Sequence, residues 1–218
     1  MPADPLISCL MVTLPVPERF DRLKESVAGY VGQTYRPREL VVVANGGVPE
    51  ALAAIKAHIA SLGRDDIRIL EPPGTLTLGA LRNISKASAR GEVVCQWDDD
   101  DLFHPERLRL QLAALVESGA EAVCLQHVMQ YFRDDRRLYC TNFRNSVETV
   151  FPGSLMCWAR TEVTYPETGE RALTPFQTTL PPSLSACRES RRSRLPLAKR
   201  VRRFTKAPRC LPPQSQGG

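Results

Sequence analysis

Several common sequence features are missing from this chain of 218 residues, and each absence argues against a class of protein. No apolar run approaches the roughly 18 residues that a membrane-spanning helix needs. The first ten residues carry no lysine or arginine, so we expect no secretory signal peptide and a cytoplasmic location. The seven cysteines include no Cys-x-x-Cys pair, so the usual zinc-binding and redox motifs are absent.

Acidic residues are nearly absent from the C-terminal stretch, where residues 173–218 hold ten Lys and Arg but a single Glu, a net charge of +9. Residues 1–172 carry a net charge of −4. The C-terminal stretch also holds seven of the 18 prolines and has no sustained apolar period. We therefore predict one domain over residues 1–172 and a disordered tail over 173–218. The tail lacks an amphipathic pattern and interleaved aromatic residues, so no nucleic-acid partner is expected, while peripheral membrane contact stays open.

The rest of the chain alternates apolar, strand-like runs with segments of helical periodicity. Strands are predicted at 6–13, 39–44, 66–70, 92–97, 120–129 and 138–141, and helices at 18–33, 49–62, 78–89 and 105–118. This alternation predicts an α/β fold with a mostly parallel sheet and helices on both faces. Three cysteines, Cys9, Cys95 and Cys124, fall inside predicted strands and are expected to be buried, reduced thiols.

Four consecutive aspartates, Asp98 to Asp101, directly follow the fourth predicted strand. Ligands of such sheets bind beyond the carboxyl ends of the strands, where carboxylates can converge on a hard divalent cation such as Mg²⁺ or Mn²⁺. Such a metal commonly bridges protein carboxylates to phosphate oxygens, which would suit a diphosphate leaving group. The alternative is a solvated acidic turn that caps the helix beginning near Pro105; for Asp101 both interpretations stay open.

Four segments in a particular order carry a resemblance to a known family: ISCLMVTLPVPERF, GQTYRPRELVVVANGG, LGALRNISKASARGE and VVCQWDDDDLFHPERL. Together they resemble the family 2 glycosyltransferases over roughly residues 6–170, and the last two segments are the specific part. A later stretch, FPGSLMCWART followed by TYPETG, is similar to the acceptor side of that family. The resemblance implies a GT-A-like fold and inverting, metal-dependent transfer of a sugar from a nucleotide-diphospho-sugar to a hydroxyl group of a glycan, lipid or other acceptor.

The resemblance also implies roles for individual residues. It implies that Asp98 and Asp100 bind Mn²⁺ or Mg²⁺, with Asp100 making the direct contact. The residues expected near the donor nucleotide are Thr13, Asn45, Arg82, Asp98 and Asp99. His104 and Pro105 shape the turn after the aspartates, and no catalytic role is expected for His104.

The sequence departs from the family pattern at two places. The second strand usually ends in an acidic pair, whereas Ala44-Asn45 stands here, so Asn45 can offer the base only an uncharged hydrogen bond. The general base usually comes from an acidic pair after the YPE-like segment, whereas Glu167 and Glu170 are the only nearby carboxylates here and hence the weak candidates.

The composition changes where this second departure begins, near Ala172. We hypothesise that a frameshift replaced the C-terminus and impaired catalysis. Two other functions stay open. One is a non-catalytic nucleotide-sugar-binding domain. The other is a nucleotidyltransferase, which usually has a glycine-rich phosphate loop after its first strand; the loop here, residues 14–17, has no glycine.

Overall fold

The computed structural model describes residues 4–125, 127–132, 136–142, 152–161, 164, 165, 167 and 201–204. The strands are β1 (Ile7–Thr13), β2 (Arg38–Ala44), β3 (Ile67–Leu70), β4 (Val93–Gln96), β5 (Ala122–Leu125), β6 (His127–Phe132), β7 (Arg137–Asn142), β8 (Met156–Trp158) and β9 (Val201–Phe204). The helices are α1 (Pro17–Val31), α2 (Pro49–Ser61), α3 (Leu78–Ala87) and α4 (Arg107–Ser118), and a 3₁₀ turn covers Pro152–Ser154.

The main sheet has the strand order β3-β2-β1-β4-β8-β5-β9. Strands β1 to β4 pair in parallel, and β8 runs antiparallel to both of its neighbours. One face of the sheet packs against apolar residues of α1, α2 and α4, and the opposite face packs against α3. The predicted α/β architecture, with a mostly parallel sheet between helices, is therefore confirmed. Among the described residues, no helix is both long and apolar enough to cross a membrane.

The pattern-based strand prediction was wrong in one place and incomplete in another. The single strand predicted over 120–129 is two strands, because β5 stays in the main sheet while β6 pairs with β7 in a separate two-stranded sheet. An apolar run does not mark the residue at which a chain leaves a sheet, so the break could not be read from the sequence. Strand β8 was not predicted, since three residues are too few to display a period of two.

Four residues of the predicted disordered tail form a strand, because β9 pairs in parallel with β5 along its whole length. The predicted disorder of the tail over residues 173–218 as a whole stays a prediction. Pairing with β9 satisfies backbone groups that would otherwise be left open along the edge of β5. The remainder of the tail, residues 173–200 and 205–218, lies outside the described residues.

The carboxyl ends of β1 and β2 are held close together by their loops. The backbone N–H of Val48 donates to the carbonyl of Pro15 at 2.8 Å. Gly47 has a φ of +71°, and a Cβ atom there would lie 2.0 Å from the Pro15 carbonyl oxygen. Only glycine fits such a position, so this contact holds the loops after β1 and β2 against each other.

Candidate functional site

The four aspartates begin one residue beyond β4, at the carboxyl edge of the parallel strands. Trp97, which separates them from the strand, is fully buried, and its indole N–H donates to the Ser26 hydroxyl at 3.0 Å. That hydroxyl donates in turn to the backbone carbonyl of Asp98 at 2.8 Å. The aspartate loop is therefore anchored at its base to helix α1.

Asp99 is the most buried of the four, with 2% of its surface exposed. The Thr13 hydroxyl donates to its Oδ2 at 2.6 Å, and the guanidinium of Arg19 donates to both carboxylate oxygens. Thr13 and Asp99, which the resemblance implied to lie near the donor nucleotide, are therefore in contact. Their hydrogen bond joins the end of β1 to the end of β4.

Arg19 was missed by the sequence analysis. It lies in the first turn of α1 and also reaches Asp100, with Nη2 3.3 Å from Oδ2. A cationic side chain is unfavourable at a helix N-terminus because of the helix dipole. An arginine in that turn, directly after a strand-end loop, is thus a signal that an anionic partner lies nearby.

Asp98 is held by two side chains on the opposite side of the loop. Its Oδ1 accepts hydrogen bonds from Gln96 Nε2 at 2.8 Å and from Arg82 Nη2 at 3.4 Å. The Tyr165 hydroxyl donates to Gln96 Oε1 at 3.3 Å, and the Arg82 guanidinium lies 5.3 Å from the Tyr165 ring centroid. Arg82 and Asp98, each expected near the donor, therefore lie together in space, and Tyr165 contacts both Arg82 and Gln96.

Asp100 and Asp101 have much weaker partners. The Asp100 side chain is 40% exposed and its ion pair is the 3.3 Å contact with Arg19. Asp101 Oδ2 is buried with no hydrogen-bond partner among the described residues. Burial, reinforced by the charges of Asp98 and Asp100, raises the pKa of Asp101 to about 7. Burial and the charge of Asp99 likewise raise the pKa of Asp100.

The carboxylates of the four aspartates suit a divalent cation that has other ligands as well. Within the described ranges, no group of three or more His, Cys, Asp or Glu side chains is placed to hold a metal ion by itself. Magnesium, however, is commonly held by one or two carboxylates together with substrate phosphates. Asp100, exposed and weakly paired, fits that role better than Asp98, whose Oδ1 already accepts two hydrogen bonds.

Asn45 lies apart from the aspartates and supports a loop. Its amide nitrogen donates to the carbonyls of Pro72 and Gly74 at 2.9 and 2.8 Å, and its amide oxygen accepts from the N–H of Leu76 at 3.1 Å. The side chain therefore braces the loop that follows β3. The expected contact of Asn45 with the donor nucleotide stays a prediction.

The candidate bases are on the segment that follows β8. Glu167 is exposed, and its Oε1 accepts a hydrogen bond from Asn83 at 2.7 Å. Asn83 also brackets the Tyr165 backbone, since it donates to the carbonyl and accepts from the N–H. Glu170 lies outside the described residues. Asn83 thus ties helix α3 to the acceptor-side segment (here Tyr165 and Glu167), and its neighbour Arg82 ties the same helix to the aspartate loop (Asp98 to Asp101).

A buried arginine fixes the far side of the loop. Arg107 is 4% exposed, and its Nη2 donates to the carbonyls of Gln96 and Gly153 at 2.9 and 3.0 Å. Its guanidinium carbon lies 3.6 Å from the centroid of the Phe103 ring. The backbone N–H of Glu106 donates to Nδ1 of His104 at 3.2 Å, which agrees with a turn-shaping role for His104.

The model for Glycosyl transferase family 2 matches residues 11–175 of the chain. No curated protein matches the chain. Several solved structures share its fold at low sequence identity, which shows the fold alone. One is S. aureus TarS 1–349, at 16% identity and a TM-score of 0.61, with 76% of this chain and 52% of that chain covered.

Two further similar structures contain donors. TarS 1–349 in complex with UDP-GlcNAc matches at 18% identity and a TM-score of 0.57, covering 77% of this chain and 51% of that one. The mannosyltransferase PcManGT from Pyrobaculum calidifontis, in complex with GDP-Man and Mn²⁺, matches at 16% identity and a TM-score of 0.60, covering 78% and 50%. The chain spans about half the length of these proteins. The shared architecture is the GT-A fold that the resemblance implied.

Proposed function

The chain belongs to glycosyl transferase family 2, and on that premise we propose that it transfers a hexosyl group from a nucleotide-diphospho-sugar to an acceptor hydroxyl. The observation that carries the proposal is the placement of Arg82 and the four aspartates together at the carboxyl edge of the parallel strands. Ligands of open α/β sheets bind at that edge. TarS with UDP-GlcNAc and PcManGT with GDP-Man are precedents for this class of donor on this fold.

The cofactor in this proposal is Mn²⁺ or Mg²⁺, held by Asp100 with help from Asp98. When bound, the cation would offset the charge that grows on the leaving diphosphate. Support comes from the buried Oδ2 of Asp101, which has no hydrogen-bond partner among the described residues, and from the pKa of Asp100, which partial burial and the charge of Asp99 raise. Arg82, 3.4 Å from Asp98, would add a fixed positive charge beside the leaving diphosphate.

The acceptor hydroxyl, from a glycan, a lipid or another alcohol, would attack the anomeric carbon from the face opposite the diphosphate, which inverts that centre. A base must take the hydroxyl proton. Glu167 stands on the acceptor-side segment, which Asn83 fixes against helix α3. Glu167 and Glu170 remain the proposed candidates for this proton acceptor.

A non-catalytic nucleotide-sugar-binding domain is the second proposal, because one observation favours it. On the described part of the acceptor-side segment, residues 164, 165 and 167, the single carboxylate is the exposed Glu167. A nucleotidyltransferase is not proposed further, since the family match assigns the chain to glycosyltransferases. We also propose a cytoplasmic location, because Cys9, Cys95 and Cys124 are buried free thiols, which suits a reducing compartment.

The test is thermal unfolding of the protein with a panel of nucleoside diphosphates and nucleotide sugars, each with and without Mn²⁺. A ligand at 100 times its dissociation constant stabilises the fold by about 2.7 kcal/mol. We expect one nucleotide series to give a metal-dependent shift that is lost in Asp100→Ala. The matched control is Asp65→Ala, an exposed aspartate at the opposite edge of the sheet.

The outcomes separate the proposals. A metal-dependent shift followed by release of the nucleoside diphosphate on incubation with an acceptor supports transfer. A shift without release supports the binding domain. A folded protein that responds to no nucleotide sugar contradicts both.

A further inference from the structure

Arg19 contacts two of the four aspartates with the same nitrogen. Its Nη2 donates to Asp99 Oδ1 and lies 3.3 Å from Asp100 Oδ2. Its Nε donates to Asp99 Oδ2 at 3.1 Å, so the Asp99 contact is bidentate and the Asp100 contact is the weaker arm. One guanidinium therefore holds a buried carboxylate firmly and reaches the exposed carboxylate beside it.

The position of this guanidinium conflicts with a cation on Asp100. Two positive charges that share one carboxylate repel each other, and the cost falls on whichever of them binds more weakly. Arg19 itself is 34% exposed in its side chain, so it has room to withdraw from Asp100 while it keeps Asp99. Arg82 contacts the loop at a different aspartate, Asp98.

We propose that Arg19 is a resident counter-cation that competes with the divalent cation for Asp100 and lowers the affinity of the donor-free protein for metal. The inference rests on the proposed role of Asp100 as a metal-binding carboxylate. It adds a residue that the resemblance did not assign, and it gives that residue an effect opposite in sign to that of a ligand. Removal of a supporting residue weakens metal binding, whereas removal of a competitor strengthens it.

The experiment is a titration of the nucleotide-free protein with Mn²⁺ alone, in which electron paramagnetic resonance measures the concentration of free Mn²⁺. We expect Arg19→Gln to bind Mn²⁺ about fivefold more tightly than the parent, which corresponds to about 1 kcal/mol. Arg19→Lys keeps the charge and should stay close to the parent. Arg22→Gln, which removes an exposed arginine from the next turn of α1, should also leave the affinity unchanged.

Damage to the fold cannot imitate this result, because a damaged site binds metal less tightly. Equal or weaker Mn²⁺ binding by Arg19→Gln overturns the inference, and so does a gain of the same size in Arg19→Lys. Should Arg19→Gln not fold, the parent is titrated with diamagnetic Mg²⁺ while the Nη–H resonances of Arg19, whose Nη2 contacts Asp100, are followed by NMR. Resonances that do not shift as Mg²⁺ binds then overturn the inference.

The inference and the proposed function fail in different ways. When the parent shows a nucleotide shift that needs Mn²⁺ and Asp100, yet Arg19→Gln shows no gain in metal affinity, the inference alone is wrong. When neither protein binds Mn²⁺ under any condition, the metal role of Asp100 fails, and the inference fails with it.

Discussion

Two acidic sites at opposite ends of the strands differ in their hydrogen-bond partners. Glu39, at the amino ends, is buried and both of its carboxylate oxygens accept hydrogen bonds, whereas Asp100 and Asp101, at the carboxyl ends, have few partners. Glu39 Oε1 accepts from the Ser8 hydroxyl at 2.6 Å and from the N–H of Arg90 at 2.7 Å, and Oε2 accepts from Arg68 Nε at 3.1 Å. Burial would raise the pKa of Glu39, but these hydrogen bonds outweigh burial and lower it. The pKa values of Asp100 and Asp101 are raised instead.

The difference teaches how to tell a structural acid from one that awaits a ligand. A buried carboxylate whose lone pairs are used by the protein gains nothing from a further cation. A buried carboxylate with an unpartnered oxygen carries an uncompensated desolvation cost, which a bound partner would reduce. By this criterion we expect the amino end of the sheet to serve stability and the carboxyl end to serve binding, and each of the following predictions tests that division.

The largest expected effect is on turnover, at the carboxyl end. Asp100→Asn keeps the shape of the side chain but removes its charge, so transfer from the nucleotide-sugar identified by the binding panel should fall on the order of a hundredfold. The measurement is the initial rate of nucleoside diphosphate release at saturating acceptor. An Asp100→Asn protein with parental turnover would show that this carboxylate is a solvated turn residue.

The next effect is on stability, at the amino end. Glu39→Ala removes the acceptor of three hydrogen bonds, including that of Arg68, and should lower the free energy of unfolding by about 3 kcal/mol. Urea denaturation monitored by circular dichroism measures the loss. Glu117→Ala, which removes an exposed glutamate from α4, should change stability by less than about 0.5 kcal/mol. An equally small loss in Glu39→Ala would end the distinction between the two edges.

The same glutamate predicts a pH dependence. Its pKa is lower in the folded state than in the unfolded chain, so its stabilisation is present above the unfolded pKa of about 4.3 and is lost as pH falls through the folded pKa. Glu39→Gln should therefore lose less stability than the parent between pH 6 and pH 3. The measurement is the urea midpoint across that range for both proteins, since their difference cancels the groups they share, including Asp66, whose pKa is also lowered. Parallel curves would contradict the prediction.

Local patterns in the sequence were enough to predict strands β1 to β4, the helices and the aspartate loop. The apolar runs of β1, β2 and β4 are long or β-branched enough to be recognised, and four adjacent aspartates need no structure to be noticed. The partners of those aspartates could not be predicted in this way, because Arg19 precedes Asp99 by 80 residues. Gln96, which donates to Asp98, is itself held by Tyr165, 69 residues further along the chain. Only packing of α1 and of the acceptor-side segment onto the sheet brings them together.

The hydrogen-bond partners of individual polar side chains could not be predicted from the sequence either. Asn45 directly follows β2, and the donor-side role that the resemblance implies for it stays a prediction. The structure shows that its amide is used by the loop of Pro72 to Leu76. Which of several nearby groups a short polar side chain selects depends on loop geometry, and no periodicity encodes that geometry.

The smallest prediction concerns the stability of the metal-free protein and tests the division from its other side. Asp100 lies beside Asp99 and Asp98, whose charges raise its pKa together with burial. Asp100→Asn removes one of these like charges and loses only the 3.3 Å contact with Arg19, an exposed pair of little net value. In EDTA the variant should therefore be as stable as the parent or more stable, by up to about 0.5 kcal/mol, as measured by urea denaturation. Adding Mn²⁺ with the nucleotide should then stabilise the parent and not the variant. A variant that is less stable in EDTA would mean that Asp100, like Glu39, belongs to the structural acids of the fold.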